Sequence, residues 1–211
     1  MNALKIFPPL MLVALAMVVM IGAGTASATT ICTSGTTTAP CPSGQKPFTG
    51  LVKAELVEGL LGPAELISGF AQVKCKDSKI LATVTAPTGA VEVEGLTLNE
   101  CANQFSLPCT ATTTAGTGAS AWPATVSVTS APNGQMKVKN VEGTVSCSGV
   151  TCIYGIAEAT GISGIGGTPA IIKFEGVKLE KKAGSHMSCS ASSFLSGEYK
   201  VTAPTSLFIQ A

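Results

Sequence analysis

Eight cysteines (Cys32, Cys41, Cys75, Cys101, Cys109, Cys147, Cys152 and Cys189) and one histidine, His186, are the residues of this chain best suited to covalent or metal chemistry. Zinc sites need thiolates and imidazoles at close, regular spacing. No two cysteines form a C-x-x-C pair, and His186 has no second histidine to join it. An even cysteine count behind a secretory leader predicts four disulfides instead. No metal or other cofactor is expected.

A Ser-His-Asp hydrolase would have to draw on His186 and Asp77, the sole His and Asp of the chain. His186 lies in KKAGSHMSCS, where Gly and Ser predict a solvated loop rather than the strand-to-helix elbow that presents a nucleophile. Paired carboxylates could hydrolyse glycosides, and Glu94 and Glu175 occupy matching contexts. Each precedes a glycine in a strand pattern, which reads as the flank of a bulge. Aromatic platforms for sugar rings are also scarce, with one Trp, two Tyr and seven Phe. Trp122, before a proline, is expected in the core or at its rim.

The Gly-rich GISGIGG, residues 161–167, follows neither the dinucleotide nor the P-loop pattern and predicts a flexible connection. One Asp cannot furnish the usual calcium loop. Thirteen Lys against twelve acidic residues leave a net charge of +1, and Arg is absent. Without that bidentate phosphate-binding side chain the chain is a poor nucleic-acid partner.

Residues 1–28 read as a signal peptide: a short MNALK start, the apolar run IFPPLMLVALAMVVMIGAG and the A-x-A site Ala26-Ser27-Ala28. A retained anchor is the competing reading, given the length of the apolar run. Cleavage leaves about 180 residues, enough for one sizeable domain, with no further membrane span expected.

The elements that must position these residues are strands. Residues 29–50 form a Thr/Ser/Pro-rich lead-in with little core of its own, in which Cys32 and Cys41 would close a short loop. Residues 51–70 predict a strand, an LGPA turn and a strand, because Gly59, Gly62 and Pro63 interrupt the helical spacing of Leu56 and Leu60. Downstream, runs such as SKILATVTA, ATVSVTS and GEYKVTA are rich in β-branched and aromatic residues, with Gly, Pro and Asn between them. The fold class is therefore all-β, an antiparallel β-sandwich or barrel-like domain over 51–211.

Two stretches repeat: VEVEGLTL from Val91 and IKFEGVKL from Ile172. In each, the apolar alternation changes phase at Glu-Gly, which predicts a β-bulge with Gly95 or Gly176 at positive φ. FAQVKC against GTVSC and ILATVTAPTG against IYGIAEATG widen this into two duplicated halves, 70–132 and 142–210. Pairings that respect such halves are Cys75 with Cys101 and Cys147 with Cys189, leaving Cys109 with Cys152. Local loops 101 with 109 and 147 with 152, plus Cys75 with Cys189, compete, and spacing does not choose.

The succession VKC, LTLNEC, PCTAT, a Trp-Pro, then VSC…CIYG, TPAIIKFEGVKL and YKVTAPTSL resembles a group of secreted, uncharacterised proteins numerous in some actinobacterial genomes, over about residues 70–208. The resemblance implies a secreted, β-rich, disulfide-bonded protein and carries over no catalytic residues.

The expected function is a secreted or cell-surface structural or binding protein without catalytic activity, its partner a cell-envelope component or a second copy of itself. The alternative is an extracellular protein that binds a small ligand or glycan in a cavity between the halves or by the loops around GISGIGG. The third reading is a hydrolase using His186.

Overall fold

The computed structural model describes residues 29–34, 41, 46–57, 62–68 and 71–210. The leader at 1–28 lies outside these residues, as does Phe70 of the FAQVKC landmark. No helix among the described residues is long and apolar enough to cross a membrane.

The described strands are β1 Thr30–Cys32, β2 Gly50–Leu56, β3 Ala64–Ser68, β4 Ala71–Ala86, β5 Ala90–Asn103, β6 Pro108–Thr113, β7 Trp122–Ser130, β8 Asn133–Cys147, β9 Val150–Ile165, β10 Ile171–Lys181, β11 Ser192–Ala203 and β12 Phe208–Gln210. Strands β2 to β11 form one antiparallel sheet that closes on itself, a barrel rather than a sandwich. Strands β2 and β3 lie end to end along β4, and β6 and β7 lie end to end along β5. Each pair counts as one stave, giving eight staves in chain order, and β11 closes the ring onto both β2 and β3.

Period-two alternation produces this wall, because successive side chains of a strand point to opposite faces. In β2, Val52 and Ala54 are buried while Lys53 and Glu55 are exposed; in β4, Ile80, Ala82 and Val84 are buried while Lys74 and Lys79 are exposed. The inner face carries the apolar core and the outer face the charges, the reverse of a membrane-spanning barrel.

Both Glu-Gly strands break register where their period changes. Leu81 faces Gly95 but Ala82 faces Val93, so Glu94 is the extra residue. Phe174 faces Gly197 but Val177 faces Leu195, which places the second break at Glu175-Gly176. Val91, Val93 and Leu96, and likewise Ile172, Val177 and Leu179, all reach the core across these breaks. Only Gly176 has positive φ, at 63°. The expectation for Gly95 is corrected: its bulge is accommodated without left-handed backbone, and a Cβ there would meet Leu81 Cβ at an ordinary 3.8 Å.

The two Glu-Gly strands are the third and seventh staves, half a turn of the barrel apart. ILATVTAPTG begins on β4 and IYGIAEATG lies on β9, the second and sixth staves, whereas FAQVKC and GTVSC do not correspond. Cys75 lies on β4 near its start and Cys147 at the end of β8, so these strands run in opposite directions through the wall.

The lead-in contributes more than expected. Strand β1 pairs with β12 in a separate two-stranded sheet. Ile31, Cys32, Ile209 and Gln210 are buried there, and Ile31 belongs to the main core. This small sheet plugs the barrel end that carries the β4–β5, β7–β8 and β9–β10 connections, held by Ile31 N–H to Pro87 O at 3.0 Å and Ile209 N–H to Pro132 O at 3.1 Å. GISGIGG is the expected loop only at its end, Gly166-Gly167. Gly161 to Ile165 complete β9, paired on both sides with β8 and β10. A Cβ on Gly164 would stand 3.1 Å from Ile209 Cδ1, and one on Gly134 opposite would stand 2.9 Å from the same atom. The glycines make room for the plug.

Four disulfides form: Cys32–Cys41, Cys75–Cys101, Cys109–Cys147 and Cys152–Cys189. Neither scheme read from spacing survives whole. Cys147 and Cys109 are register partners across β8 and β6, with Cα atoms 4.4 Å apart. Within the β8–β9 hairpin Cys152 faces Val145 rather than Cys147, and it bonds outward to the β10–β11 connection. These intramolecular bonds suit an oxidising compartment.

Candidate functional site

The barrel end opposite the plug carries Ser68 and Ala71, at the ends of β3 and β4, and the β5–β6, β8–β9 and β10–β11 connections, and between them lies a cavity of about 230 Å³. Its wall is apolar in the main, from Leu66, Val73, Phe105, Val145 and Val150, with the Cys152–Cys189 disulfide at one side. The polar groups on it are all uncharged: Ser68, Asn103, Gln104, Tyr154, Ser188 and Ser190.

Local chemistry sets this rim. The Asn103 side-chain carbonyl accepts the N–H groups of Phe105 at 2.9 Å and Leu107 at 3.0 Å, which folds the β5–β6 loop into an Asx turn. Phe105 is left 74% exposed at the cavity edge. The β10–β11 connection is laced to β9. Lys182 N–H donates to Ile153 O at 2.9 Å, His186 N–H to Thr151 O at 2.9 Å, and Ile153 N–H to Ser185 Oγ at 2.8 Å. The Cys152–Cys189 bond fixes the same loop covalently, and Lys181 Nζ donates to Cys189 O at 3.0 Å. Ser188 and Ser190 are thus held against the cavity.

Tyr154 forms the inner end of the chamber. Its ring is buried, and its hydroxyl bonds with Ser68 Oγ and donates to Ser190 O at 3.4 Å. With Leu66 and Val145 it also lines a void of about 40 Å³ on the far side, so these three residues make a neck. Beyond it lie two further voids of about 50 and 60 Å³, both apolar.

Residues read from the sequence are dispersed around this site. His186 is exposed on the rim loop, and its Nδ1 accepts from Ser188 Oγ at 2.7 Å and from Ser188 N–H at 3.2 Å. Asp77 lies on β4, where it accepts from Asn99 Nδ2 at 3.0 Å. Among the described residues no carboxylate bonds to the His186 ring, so the Ser-His pair lacks the group that orients a catalytic imidazole. Glu94 and Glu175 sit at the two bulges, half a barrel turn apart. No group of three or more His, Cys, Asp or Glu side chains converges among the described residues. Trp122 is buried, its Nε1–H donating to Thr114 Oγ1 at 3.2 Å, and it lines the two voids nearest the neck.

Sequence reasoning missed Tyr154, Ser68 and Ser190. No local pattern marks them, because they meet through barrel closure across 86 residues. It also looked for a ligand loop at GISGIGG, which lies at the plugged end.

No family model matches this chain, and neither a curated protein nor a solved structure matches it.

Proposed function

We propose that this chain is a secreted, non-catalytic binding protein that holds a small, mainly apolar ligand in the mouth chamber. The observation that carries the reading is the cavity of about 230 Å³, apolar in lining and fringed by neutral hydroxyl and amide groups. Binding sites have this composition, an apolar surface with a few polar groups that set orientation. An eight-stranded barrel is also just wide enough to enclose one small ligand.

Secretion is supported by the leader at 1–28 and by four disulfides. Charged side chains on the outer wall favour a barrel surrounded by water. Closure of the ring counts against assembly by strand pairing between copies through β2 to β11, since a closed barrel has no free edges to offer.

Displacement of a hydrophobic fluorescent dye from the purified, oxidised protein tests the reading. Saturable dye binding that is lost in Val145→Arg, which places a charge on the chamber wall, is the expected result. A folded wild-type protein that binds no dye and no apolar competitor would overturn it.

A further inference from the structure

The mouth chamber and three voids within the barrel are arranged in a line, with a further void of about 30 Å³, lined by Ala64, Cys75 and Ala111, beside the neck. The mouth chamber meets the first void at Leu66, Val145 and Tyr154. The first meets the second at Trp122, Val141 and Leu195, and the second meets the third at Ala82, Met136 and Ile172. The third ends against Ile31 and Ile209 of the plug. Close-packed protein interiors leave few voids larger than a water molecule, and apolar ones stay dry and accept apolar guests. Two such voids, and a first one whose mainly apolar wall also includes Thr112, Thr113, Glu142 and Thr144, lie in file behind one open chamber and form an interrupted channel along the barrel axis.

From the chamber geometry and this file of voids we infer that the ligand is a single-chain amphiphile with an uncharged head, its head in the mouth chamber and its chain passing Tyr154 toward Trp122 and Met136. The inference rests on the binding role proposed above and names the ligand class for that site. Length agrees. From Val73 on the chamber wall to Val84 on the innermost void, β4 spans about 28 Å along the axis at the usual strand rise and tilt. One acyl chain of a bilayer leaflet needs about 15 Å.

Width is supplied by movement of side chains. Met136 separates the second and third voids, and an unbranched thioether adapts to a chain more readily than a branched side chain. At the neck, Tyr154 is held by two hydrogen bonds, to Ser68 and to the Ser190 carbonyl, and a ligand hydroxyl can replace either. The head is uncharged because the chamber lining offers Ser, Asn, Gln and Tyr and no Lys or carboxylate. A buried charge without a partner is strongly disfavoured. Phe105, 74% exposed at the rim, gives an entering chain its first apolar contact.

The test uses the oxidised protein as secreted and monoglycerides of hexanoic, octanoic, decanoic and lauric acids, with laurate as the charged comparison. Trp122 is the only tryptophan and lies beyond the neck, so its emission reports the chain's arrival. Affinity is expected to rise about four-fold per added methylene, with Trp122 emission changing for the longer chains and laurate binding more weakly than its monoglyceride. Ala159→Leu, which fills the second void, should bring lauroyl affinity down to the hexanoyl level and leave hexanoyl binding unaltered. Should that variant fail to fold, the chain-length series on the native protein decides alone. Binding with no gain from length and no change at Trp122 would overturn the inference and leave the chamber's binding role standing. Tighter binding of laurate would overturn the uncharged head, and no binding by any member would remove both.

Discussion

Ser78 Oγ and Tyr199 Oη lie 2.9 Å apart, both buried, although 121 residues separate them in the chain. Ser78 Oγ spends its own proton on Thr97 O at 2.7 Å, so the Tyr199 hydroxyl donates to Ser78. The Tyr199 ring meets Phe174 edge-on with centroids 5.5 Å apart. Burial pushes the Tyr199 phenol up from 10.0 to about 12, with the Ser78 hydroxyl offsetting part of the rise.

Alkaline pH should therefore weaken the fold through Tyr199. A raised folded pKa means that the folded state keeps a proton the unfolded chain gives up. The stabilisation is complete below pH 10 and disappears between pH 10 and 12, a loss of about 2–3 kcal/mol. Tyr199→Phe should cost about 1 kcal/mol at neutral pH for the lost hydrogen bond and should flatten that alkaline decline. Denaturant melts at stepped pH check this, and an unchanged slope in the variant would contradict it.

The two bulge glycines should differ. Gly176 holds φ at 63°, so Gly176→Ala should cost about 1–2 kcal/mol by forcing a side chain into left-handed backbone, even though nothing lies within 4 Å of the new Cβ. Gly95→Ala should stay within about 0.5 kcal/mol, as surface substitutions without strain do. Equal losses in urea unfolding would refute the distinction.

The plug and the wall should be coupled at Gly164 and Ile209. Gly164→Ala places a Cβ 3.1 Å from Ile209 Cδ1, and overpacking of this kind costs about 1–3 kcal/mol. Ile209→Val trims the opposing side chain and should recover part of that loss. A double-mutant cycle is expected to show coupling of about 1 kcal/mol, and simple additivity would place the plug elsewhere.

Removing the Cys152–Cys189 bond as a Ser/Ser pair should act on both stability and binding. Its sequence separation of 37 corresponds to about 4 kcal/mol on the loop-entropy account. The freed β10–β11 connection carries Ser188 and Ser190, so dye or lipid affinity at the mouth should fall more than it does on loss of Cys32–Cys41, which lies at the plugged end. Non-reduced peptide mapping of the wild type should return the four observed pairs, and a Cys101–Cys109 peptide, which the β5–β6 register would also permit, would contradict the Cys75–Cys101 and Cys109–Cys147 bonds.

Replacing His186 by Ala should leave melting and ligand affinity unaltered, because the ring is exposed and its bonds among the described residues are to Ser188 within its own turn. Loss of an esterase activity in that variant would instead revive the hydrolase reading.

What the amino-acid sequence determined alone was local. Alternation in SKILATVTA and VEVEGLTL sets strands, and the phase change at Glu94-Gly95 and Glu175-Gly176 sets the register breaks, because one extra residue is the only way to keep both apolar pairs inward. Only the tertiary structure decided which strands meet. The closure of β11 onto β2 and β3, the seating of Ile209 beneath Gly134 and Gly164, the partner of each cysteine and the convergence of Tyr154 with Ser68 and Ser190 depend on contacts between residues far apart in the chain. Such contacts impose no pattern on neighbouring residues: a glycine that clears space for a plug and one that loosens a loop read alike. The chamber is built almost wholly from contacts of this kind.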